Sequence, residues 1–276
     1  MNDGTSIPWL AFGSGTALYG KDASDAVAAA IRAGFRHIDA AQMYANEEHV
    51  GAGVAAAGVP RAELYITTKL HVLPAGKTVR DTLVESLAKL RVDYVDLFLI
   101  HMPNAHPDLQ ATWRDVEALQ KEGLTRTIGV SNFQPEHLAQ IFEVATIPPA
   151  VNQIEYHPYV FKASTELIAV HDKHKIVTTS YGGLTPIIRV QGGVLDPVLE
   201  KIARRVASST GQSVTQGQVL QLWLRKKGIP CITTTGKQER LKEHLAVGSL
   251  PDLTEEEVAA IERVGSTVHY RAFVRV

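Results

Sequence analysis

Eight short runs of strand-forming residues alternate with segments of helical periodicity along almost the whole chain. The strand-like runs lie at 11–16, 35–39, 64–69, 95–101, 125–131, 150–155, 175–181 and 230–235. Several are nearly continuous in apolar residues, such as the run Val95-Asp96-Leu97-Phe98-Leu99-Ile100, as expected of strands that are covered on both faces. Strict alternation of strands and helices predicts a parallel sheet.

Eight strand–helix units within 276 residues match a closed (β/α)8 barrel better than an open sheet. The segments between the strands carry apolar stripes of helical spacing, and Thr254 followed by Glu257 predicts a capping box for a late helix. The longest irregular stretch, 182–197, is apolar enough to predict an ordered loop. We therefore predict one α/β domain over residues 1–276, a TIM barrel with its active site at the C-terminal rim of the strands.

Composition excludes several classes of function. The 28 Lys and Arg residues balance 29 Asp and Glu residues, so we expect no general attraction to nucleic acid or to an anionic membrane. Cys231 is the single cysteine, which favours a reducing compartment. The N-terminus has no signal-peptide pattern, and no apolar run approaches the ~18 residues of a membrane helix. These features predict a cytoplasmic protein, and because a closed barrel has no sheet edge to pair, a monomer or weak homodimer.

Polar side chains end almost every predicted strand. Because the strand ends of such a barrel converge on one rim, we expect these side chains to form one site. They are Asp39, Lys69, His101, Ser131, Gln153, Tyr181 and Thr233 to Thr235.

The first three of these residues, together with Tyr44, suit the reduction of a carbonyl group. A carbonyl that accepts hydride needs a proton donor, and free tyrosine, with a pKa of about 10, is a poor acid near neutral pH. An adjacent ammonium lowers that pKa, and a carboxylate keeps the ammonium charged. This chemistry predicts Tyr44 as general acid, Lys69 as its activator and Asp39 as the partner of Lys69. His101 is then the hydrogen-bond donor that orients the substrate oxygen.

Each of these residues also has a structural interpretation. An Asp–Lys pair at strand ends is commonly a structural salt bridge, Tyr44 alone suits packing, and His101 alone suits a strand end. The spacing across three consecutive strand–helix units favours catalysis.

The same residues resemble the aldo-keto reductase family. The segment Gly34-Phe35-Arg36-His37-Ile38-Asp39, with Tyr44, Asn46 and Glu47, is similar to the first family signature. The segments 87–103, 129–133 and 151–158 are similar to further family segments, and 180–187 is similar to fungal reductases of conjugated polyketones and α-keto amides. The resemblance extends from about Asp3 to Glu262 and implies a barrel with the tetrad Asp39, Tyr44, Lys69 and His101 and an ordered reaction with NAD(P)H.

The predicted cofactor site lies on the remaining strand ends. The dinucleotide fingerprint of open sheets is absent, because Leu18 stands where Gly13-Ser14-Gly15 needs a third glycine. The amide and hydroxyl groups of Ser131, Asn132 and Gln153 suit a nicotinamide carboxamide, and the ring of Tyr181 suits stacking. The resemblance implies the same roles. The predicted site also includes Gly182, Leu184, Thr233, Thr234, Thr235, Lys237, Arg240 and His244.

Two basic residues predict NADPH as the cofactor, with NADH as the alternative. Lys237 lies at a predicted helix start, where backbone N–H groups attract an anion, and Arg240 suits bidentate contact with a 2′-phosphate. The alternative is a solvated helix start without a ligand. Family members that use NADPH commonly carry Ile-Pro-Lys-Ser where this chain has Ile232-Thr233-Thr234-Thr235.

The substrate pocket departs furthest from the family. Many members have tryptophan where this chain has His71 and Met102, which predicts a wider or more polar pocket. We predict Tyr19, His71, Met102 and Trp113 as its lining. The aromatic tail 268–274 is expected to dock near the barrel mouth, with or without substrate contact.

The predicted function is NADPH-dependent reduction of aldehydes or activated ketones, with a small carbonyl compound as the partner. Reduction of cyclic imines with the same cofactor and a weakly active nicotinamide-binding regulatory subunit are the alternatives. No metal site is expected, since His171 and His174 flank two charged residues typical of a solvated helix face, and no zinc-ligand spacing occurs.

Overall fold

The computed structural model describes residues 1–273 and contains a closed barrel of eight parallel strands, in the order of the sequence. The predicted (β/α)8 class is confirmed. The strands are β1 (Leu10–Gly13), β2 (His37–Asp39), β3 (Tyr65–Leu70), β4 (Val95–Ile100), β5 (Thr125–Ser131), β6 (Val151–Glu155), β7 (Val177–Tyr181) and β8 (Cys231–Thr233).

Helices surround the barrel and cover the outer face of every strand. They are α1 (Ser24–Ala33), α2 (Glu47–Ala57), α3 (Val79–Leu90), α4 (Leu109–Lys121), α5 (Pro135–Phe142), α6 (Thr165–His174), α7 (Thr185–Ile188), α8 (Asp196–Thr210), α9 (Gln216–Lys226), α10 (Gln238–Ala246) and α11 (Glu255–Gly265). The predicted capping box starts α11, where Thr254 and Glu257 bond each other's backbone N–H. None of the helices within residues 1–273 has the length and apolar character needed to cross a membrane.

The pairing between neighbouring strands is uneven around the barrel. Strands β4 and β5 are in register from Val95↔Thr125 to Ile100↔Val130. Strand β8 pairs with β1 from Leu10↔Cys231 to Phe12↔Thr233, but with β7 only at Ser180↔Cys231. The β7–β8 seam is therefore held by few backbone contacts.

Candidate active site

Asp39 and Lys69 form a buried ion pair at the rim. Lys69 Nζ lies 2.5 Å from Asp39 Oδ1 and donates a second hydrogen bond to the Ala40 carbonyl at 2.9 Å. The two residues are 1% and 0% exposed, respectively. Because neither charge reaches water, loss of one partner would leave the other buried and uncompensated.

Tyr44 reaches this pair from a short 3-10 turn, Gln42–Tyr44, that follows β2. The turn ends at Ala45, whose φ of 53° lies in the left-handed region. The hydroxyl of Tyr44 accepts a hydrogen bond from Lys69 Nζ at 3.3 Å. A Cβ atom on Gly15 would lie 2.9 Å from the Tyr44 ring, so the loop after β1 can approach this ring only because residue 15 is glycine.

The electrostatics of the pair differ in one respect from the sequence prediction. Burial raises the pKa of Tyr44 above its ordinary value, and the ammonium of Lys69 opposes this rise without cancelling it. The prediction that the pKa of Tyr44 is lowered overall is therefore wrong, because the loss of hydration outweighs the effect of the nearby ammonium. Burial alone would lower the pKa of Lys69, but the Asp39 carboxylate raises it overall. Near neutral pH Lys69 is an ammonium and Tyr44 a protonated phenol.

His101 follows directly after β4 and faces Tyr44. The two rings are nearly perpendicular, with their centroids 5.6 Å apart. Burial, supported by the positive charge of Lys69, lowers the pKa of His101 to about 3. The imidazole is therefore neutral near pH 7 and presents a single N–H to a substrate.

A chain of hydrogen bonds supports the turn that carries Tyr44. Thr68 and Ser86 donate to the Glu47 carboxylate at 2.6 and 3.1 Å. Gln42 donates to Ser86 at 3.1 Å and accepts from the backbone N–H of His71 at 2.9 Å. The turn is thereby tied to the end of β3, where Lys69 lies.

The amide and hydroxyl groups predicted to hold a carboxamide are linked to one another in the structure. Tyr181 Oη donates to Asn132 Oδ1 at 2.6 Å, and Asn132 Nδ2 donates to Ser131 Oγ at 3.1 Å. Ser131 Oγ donates to the backbone carbonyl of Gln153 at 2.8 Å, and Gln153 Nε2 donates to Asp39 Oδ2 at 2.8 Å. A continuous polar path therefore joins the ends of β5, β6 and β7 to the ion pair.

Two threonines at the end of β8, Thr233 and Thr234, have different environments. Thr233 is buried, and its hydroxyl contacts Nε2 of His244 at 3.2 Å. Nδ1 of His244 contacts the amide of Gln221 at 2.9 Å, so both nitrogens of this buried ring are engaged behind Thr233. The buried hydroxyl of Thr234, in contrast, has no hydrogen-bond partner within residues 1–273.

Lys237 and Arg240 lie where the sequence places them, at the start of α10. Lys237 is the N-cap residue of this helix, and its backbone N–H donates to Thr235 Oγ1 at 3.0 Å. Both basic side chains are exposed, and neither forms a salt bridge with a carboxylate in the described part of the chain. This helix start combines two free cations with the backbone N–H groups of its first turn.

The tail is fixed to the end of β6 by Glu155. This carboxylate accepts hydrogen bonds from the backbone N–H groups of Ala272, at 2.7 Å, and Phe273, at 3.2 Å. His157 Nε2 lies 3.1 Å from the same carboxylate, and both Glu155 and His157 are 0% exposed. Two backbone donors on one buried carboxylate hold the tail firmly.

The anchored tail reaches the mouth of the barrel, as predicted for its described part; Val274 lies outside the described residues. The Phe273 ring meets the Tyr181 ring edge-on, with centroids 5.5 Å apart. Gly182, at a φ of 70°, lies beneath Phe273, where a Cβ atom would come within 2.9 Å of the phenyl ring. Leu184 is partly buried and directly precedes α7.

Three of the four residues predicted to line the substrate pocket lie around the tetrad. Tyr19 is 48% exposed, and its ring centroid is 6.3 Å from that of Tyr44. His71 follows the end of β3, and Met102 follows His101, with its sulfur atom 3.2 Å from Asn132 Nδ2.

The prediction for Trp113 is wrong. This residue lies on α4, is 0% exposed and donates from its indole N–H to the Ile147 carbonyl at 3.1 Å. It packs between the outer helices and the barrel instead of at the rim.

The predicted solvated face is correct for Asp172 and Lys173, which are exposed, but wrong for His171. His171 is 0% exposed, and its ring nitrogens contact Asn152 at 2.9 Å and Thr178 at 2.8 Å. His174 stacks on Phe142, with centroids 4.0 Å apart. No group of three His, Cys, Asp or Glu side chains suited to a metal ion was found within residues 1–273.

Two residues near the site were not singled out from the sequence. Glu155 ends β6, two positions after Gln153, so the two-residue period of a strand could have placed both on one face. His106 follows the turn Pro103–Ala105 after β4 and is 4% exposed. No pattern in the sequence marks it.

A barrel with Asp, Tyr, Lys and His gathered at its rim is the arrangement that the sequence resemblance implies. The model of the Aldo/keto reductase family matches residues 9–266, and the chain belongs to that family.

Relatives of known name match over nearly their full lengths. An NAD/NADP-dependent indole-3-acetaldehyde reductase of Schizosaccharomyces pombe is 37% identical over 99% of this chain and 96% of that protein. A glyoxal reductase of Bacillus subtilis is 35% identical over 96% of this chain and 94% of that protein.

Solved structures of aldo-keto reductases share the fold. The Bombyx mori enzyme in complex with NADP has a TM-score of 0.82 and 34% identity, covering 95% of this chain and 91% of that chain. An enzyme of Brucella melitensis has a TM-score of 0.83 and 33% identity over 95% of this chain and 97% of that chain.

Proposed function

We propose that this protein reduces aldehydes and activated ketones to alcohols with NADPH, and that Tyr44 is the general acid. The observation that carries the proposal is the contact between Lys69 Nζ, Asp39 and the Tyr44 hydroxyl next to a neutral His101. A structural ion pair needs neither the tyrosine nor the histidine. A reaction that builds negative charge on an oxygen atom uses all four.

The role of each residue follows from its protonation state. The neutral imidazole of His101 donates a hydrogen bond to the carbonyl oxygen and orients it. Tyr44 keeps its proton until charge develops on that oxygen and then transfers the proton to it, because an alkoxide is far more basic than a phenolate. The Lys69 ammonium stabilises the phenolate that remains, and Asp39 keeps Lys69 charged in its buried position.

The residues at the ends of β5 to β8 fit a nicotinamide dinucleotide, which supplies the hydride when it is bound. Ser131, Asn132 and Gln153 would provide amide and hydroxyl groups for its carboxamide, and Tyr181, Gly182 and Leu184 would hold its nicotinamide ring. The unpartnered hydroxyl of Thr234 and the free charges of Lys237 and Arg240 fit a phosphate.

A preference for NADPH is supported by those two cations, since NADH carries no 2′-phosphate to pair with them. Thr233, Thr235 and His244 complete the phosphate end of the proposed cofactor site. His244 positions Thr233 through the contact between its Nε2 atom and the Thr233 hydroxyl.

Aldehydes are the favoured substrates because the named relatives include reductases of indole-3-acetaldehyde and glyoxal. The test is an absorbance assay at 340 nm with NADPH and a panel of aldehydes, 2-oxo esters and cyclic imines. We expect turnover of the carbonyl compounds. Turnover of the imines alone would contradict the proposal, and tight NADPH binding without any turnover would favour a regulatory subunit.

A further inference from the structure

Three histidines follow the ends of two neighbouring strands at the rim. His71 comes directly after β3, His101 directly after β4, and His106 after the turn Pro103–Ala105. Strands β3 and β4 are paired from Thr67↔Leu97 to Leu70↔Ile100, so their C-terminal ends lie side by side. Only His101 has a role in the proposed reaction.

The other two imidazoles carry buried nitrogen atoms without a partner. Nδ1 of His71 and Nε2 of His106 are buried, and no residue within 1–273 forms a hydrogen bond with either atom. Leaving a buried polar atom unpaired is unfavourable, so such atoms are normally paired with protein, water or ligand. The two beside the proposed reaction site are therefore available to a polar ligand.

The three rings are close enough to affect one another. Burial lowers the pKa of His101 and of His106, and in each case the neighbouring His71 imidazole lowers it further. His106 is therefore a neutral ring that can act as donor or acceptor according to its tautomer. The neighbouring Met102 cannot take this role, because its sulfur is contacted by Asn132 Nδ2 and offers no donor.

We propose that His71 and His106 form a histidine wall that hydrogen-bonds a second oxygen atom of the substrate, next to the carbonyl oxygen that His101 holds. The wall selects carbonyl compounds with an adjacent oxygen function, namely α-dicarbonyl compounds and 2-oxo esters, over simple aldehydes and ketones. The inference rests on the proposed carbonyl reduction and assigns its substrate class.

The physical basis is the free-energy penalty for leaving the buried nitrogen atoms of His71 and His106 without hydrogen-bond partners. A site built to hydrogen-bond a substrate group rejects analogues that lack the group, because its own polar atoms then stay buried without partners. Propanal and methylglyoxal form a matched pair, since they differ at one carbon by an added oxo group. Their intrinsic reactivities differ, but this difference cancels when the same two substrates are compared between variants.

The test measures kcat/KM for methylglyoxal and for propanal in the native protein and in His71→Phe and His106→Phe. We expect the ratio of the two values to fall by about tenfold or more in each variant, which corresponds to the loss of about 1.4 kcal/mol of discrimination. His49→Phe is the matched control, since this histidine is 43% exposed and lies against Asp22, and it should keep the ratio of the native protein.

Two conservative variants separate hydrogen bonding from shape. The amide of asparagine can replace Nδ1 of His71, and that of glutamine can replace Nε2 of His106. His71→Asn and His106→Gln should therefore keep a higher ratio than the phenylalanine variants. A ratio that stays within about twofold of the native value in both phenylalanine variants overturns the histidine wall. Absence of turnover with either substrate in the native protein would instead contradict the proposed function itself.

Discussion

Gln153 donates a hydrogen bond from Nε2 to Oδ2 of Asp39 at 2.8 Å, while Oδ1 of the same carboxylate receives Lys69. Both oxygens of this buried carboxylate thus accept hydrogen bonds from side chains on two other strands, β3 and β6, which lie far apart in the sequence. A residue assigned to the cofactor is therefore also part of the support of the ion pair.

Replacement of Gln153 by leucine should destabilise the protein. The variant keeps the size of the side chain but removes a donor to a buried charge, which is worth about 1.5–3 kcal/mol. We expect the free energy of unfolding in urea to fall by about 2 kcal/mol. Gln212→Leu, at an exposed position, is the control. Equal stability of the two variants would show that the bond to Asp39 contributes little.

Tyr44→Phe tests the proton donor. The variant keeps the ring that packs on Gly15 but has no proton to give, so kcat for carbonyl reduction should fall by about 100-fold or more. NADPH affinity, measured by fluorescence titration, should stay within about twofold of the native value. Tyr94→Phe serves as control because its ring lies against Arg61 and Arg126, away from the tetrad. Native turnover in Tyr44→Phe would rule out this residue as the acid.

Arg240→Ala tests the choice of cofactor. The arginine is exposed at the start of α10 and has no carboxylate partner among the described residues, so its removal costs the fold little. We expect KM for NADPH to rise by about tenfold or more, and KM for NADH to change by less than about twofold. Arg114→Ala, an exposed arginine on α4, should change neither. Equal effects on both cofactors would contradict the phosphate assignment.

His171 should make stability depend on acidity. Burial lowers its pKa from 6.5 to about 4, so below pH 6.5 the unfolded chain binds a proton that the folded chain excludes. Stability contributed by this group is therefore present above pH 6.5 and is lost as the pH falls toward 4. Between pH 7 and pH 5 the loss is about 1–2 kcal/mol.

Urea titrations at several pH values check this expectation. The slope of stability against pH should be smaller in His171→Gln than in the native protein, whereas His174→Gln, with a partly exposed ring, should keep the native slope. Identical slopes in all three proteins would mean that His171 does not titrate in this range.

Glu155→Gln tests the anchor of the tail. Glutamine can accept only one of the two backbone hydrogen bonds from Ala272 and Phe273, and its amide group opposes the other. Hydrogen exchange at these two amides should become about tenfold faster. Glu166→Gln, at an exposed position on α6, is the control. Unchanged exchange in Glu155→Gln would show that the aromatic contacts of Phe273 suffice to hold the tail.

The barrel was predictable because strands covered on both faces leave nearly continuous apolar runs, and because their regular alternation with helices fits few architectures. The tetrad was predictable for a related reason. In a parallel barrel all strand ends meet at one rim, so Asp39, Lys69 and His101 must be neighbours even though they are far apart in the sequence.

Other features depend on packing that a one-dimensional pattern does not contain. An aromatic side chain such as that of Trp113 is typical of a pocket lining, but the face of α4 that carries Trp113 packs against the barrel. His171 stands beside Asp172 and Lys173, yet the rotation of about 100° from one helical residue to the next is enough to bury one position and expose its neighbour. The pKa of Tyr44 depends on how much water the surrounding loops exclude, and the sequence predicts the charged neighbours but not that exclusion.

The single register pair Ser180↔Cys231 between β7 and β8 has a consequence for how the molecule opens. Tyr181 lies on one side of this seam and Thr233 to Thr235 on the other. A dinucleotide that contacts both would therefore connect β7 and β8, the neighbouring strands with the fewest paired residues in the barrel. Cofactor release and separation of these strands are then thermodynamically linked. Loss of the cofactor would loosen the barrel first between β7 and β8, and saturation with it would protect this joint most against proteolysis.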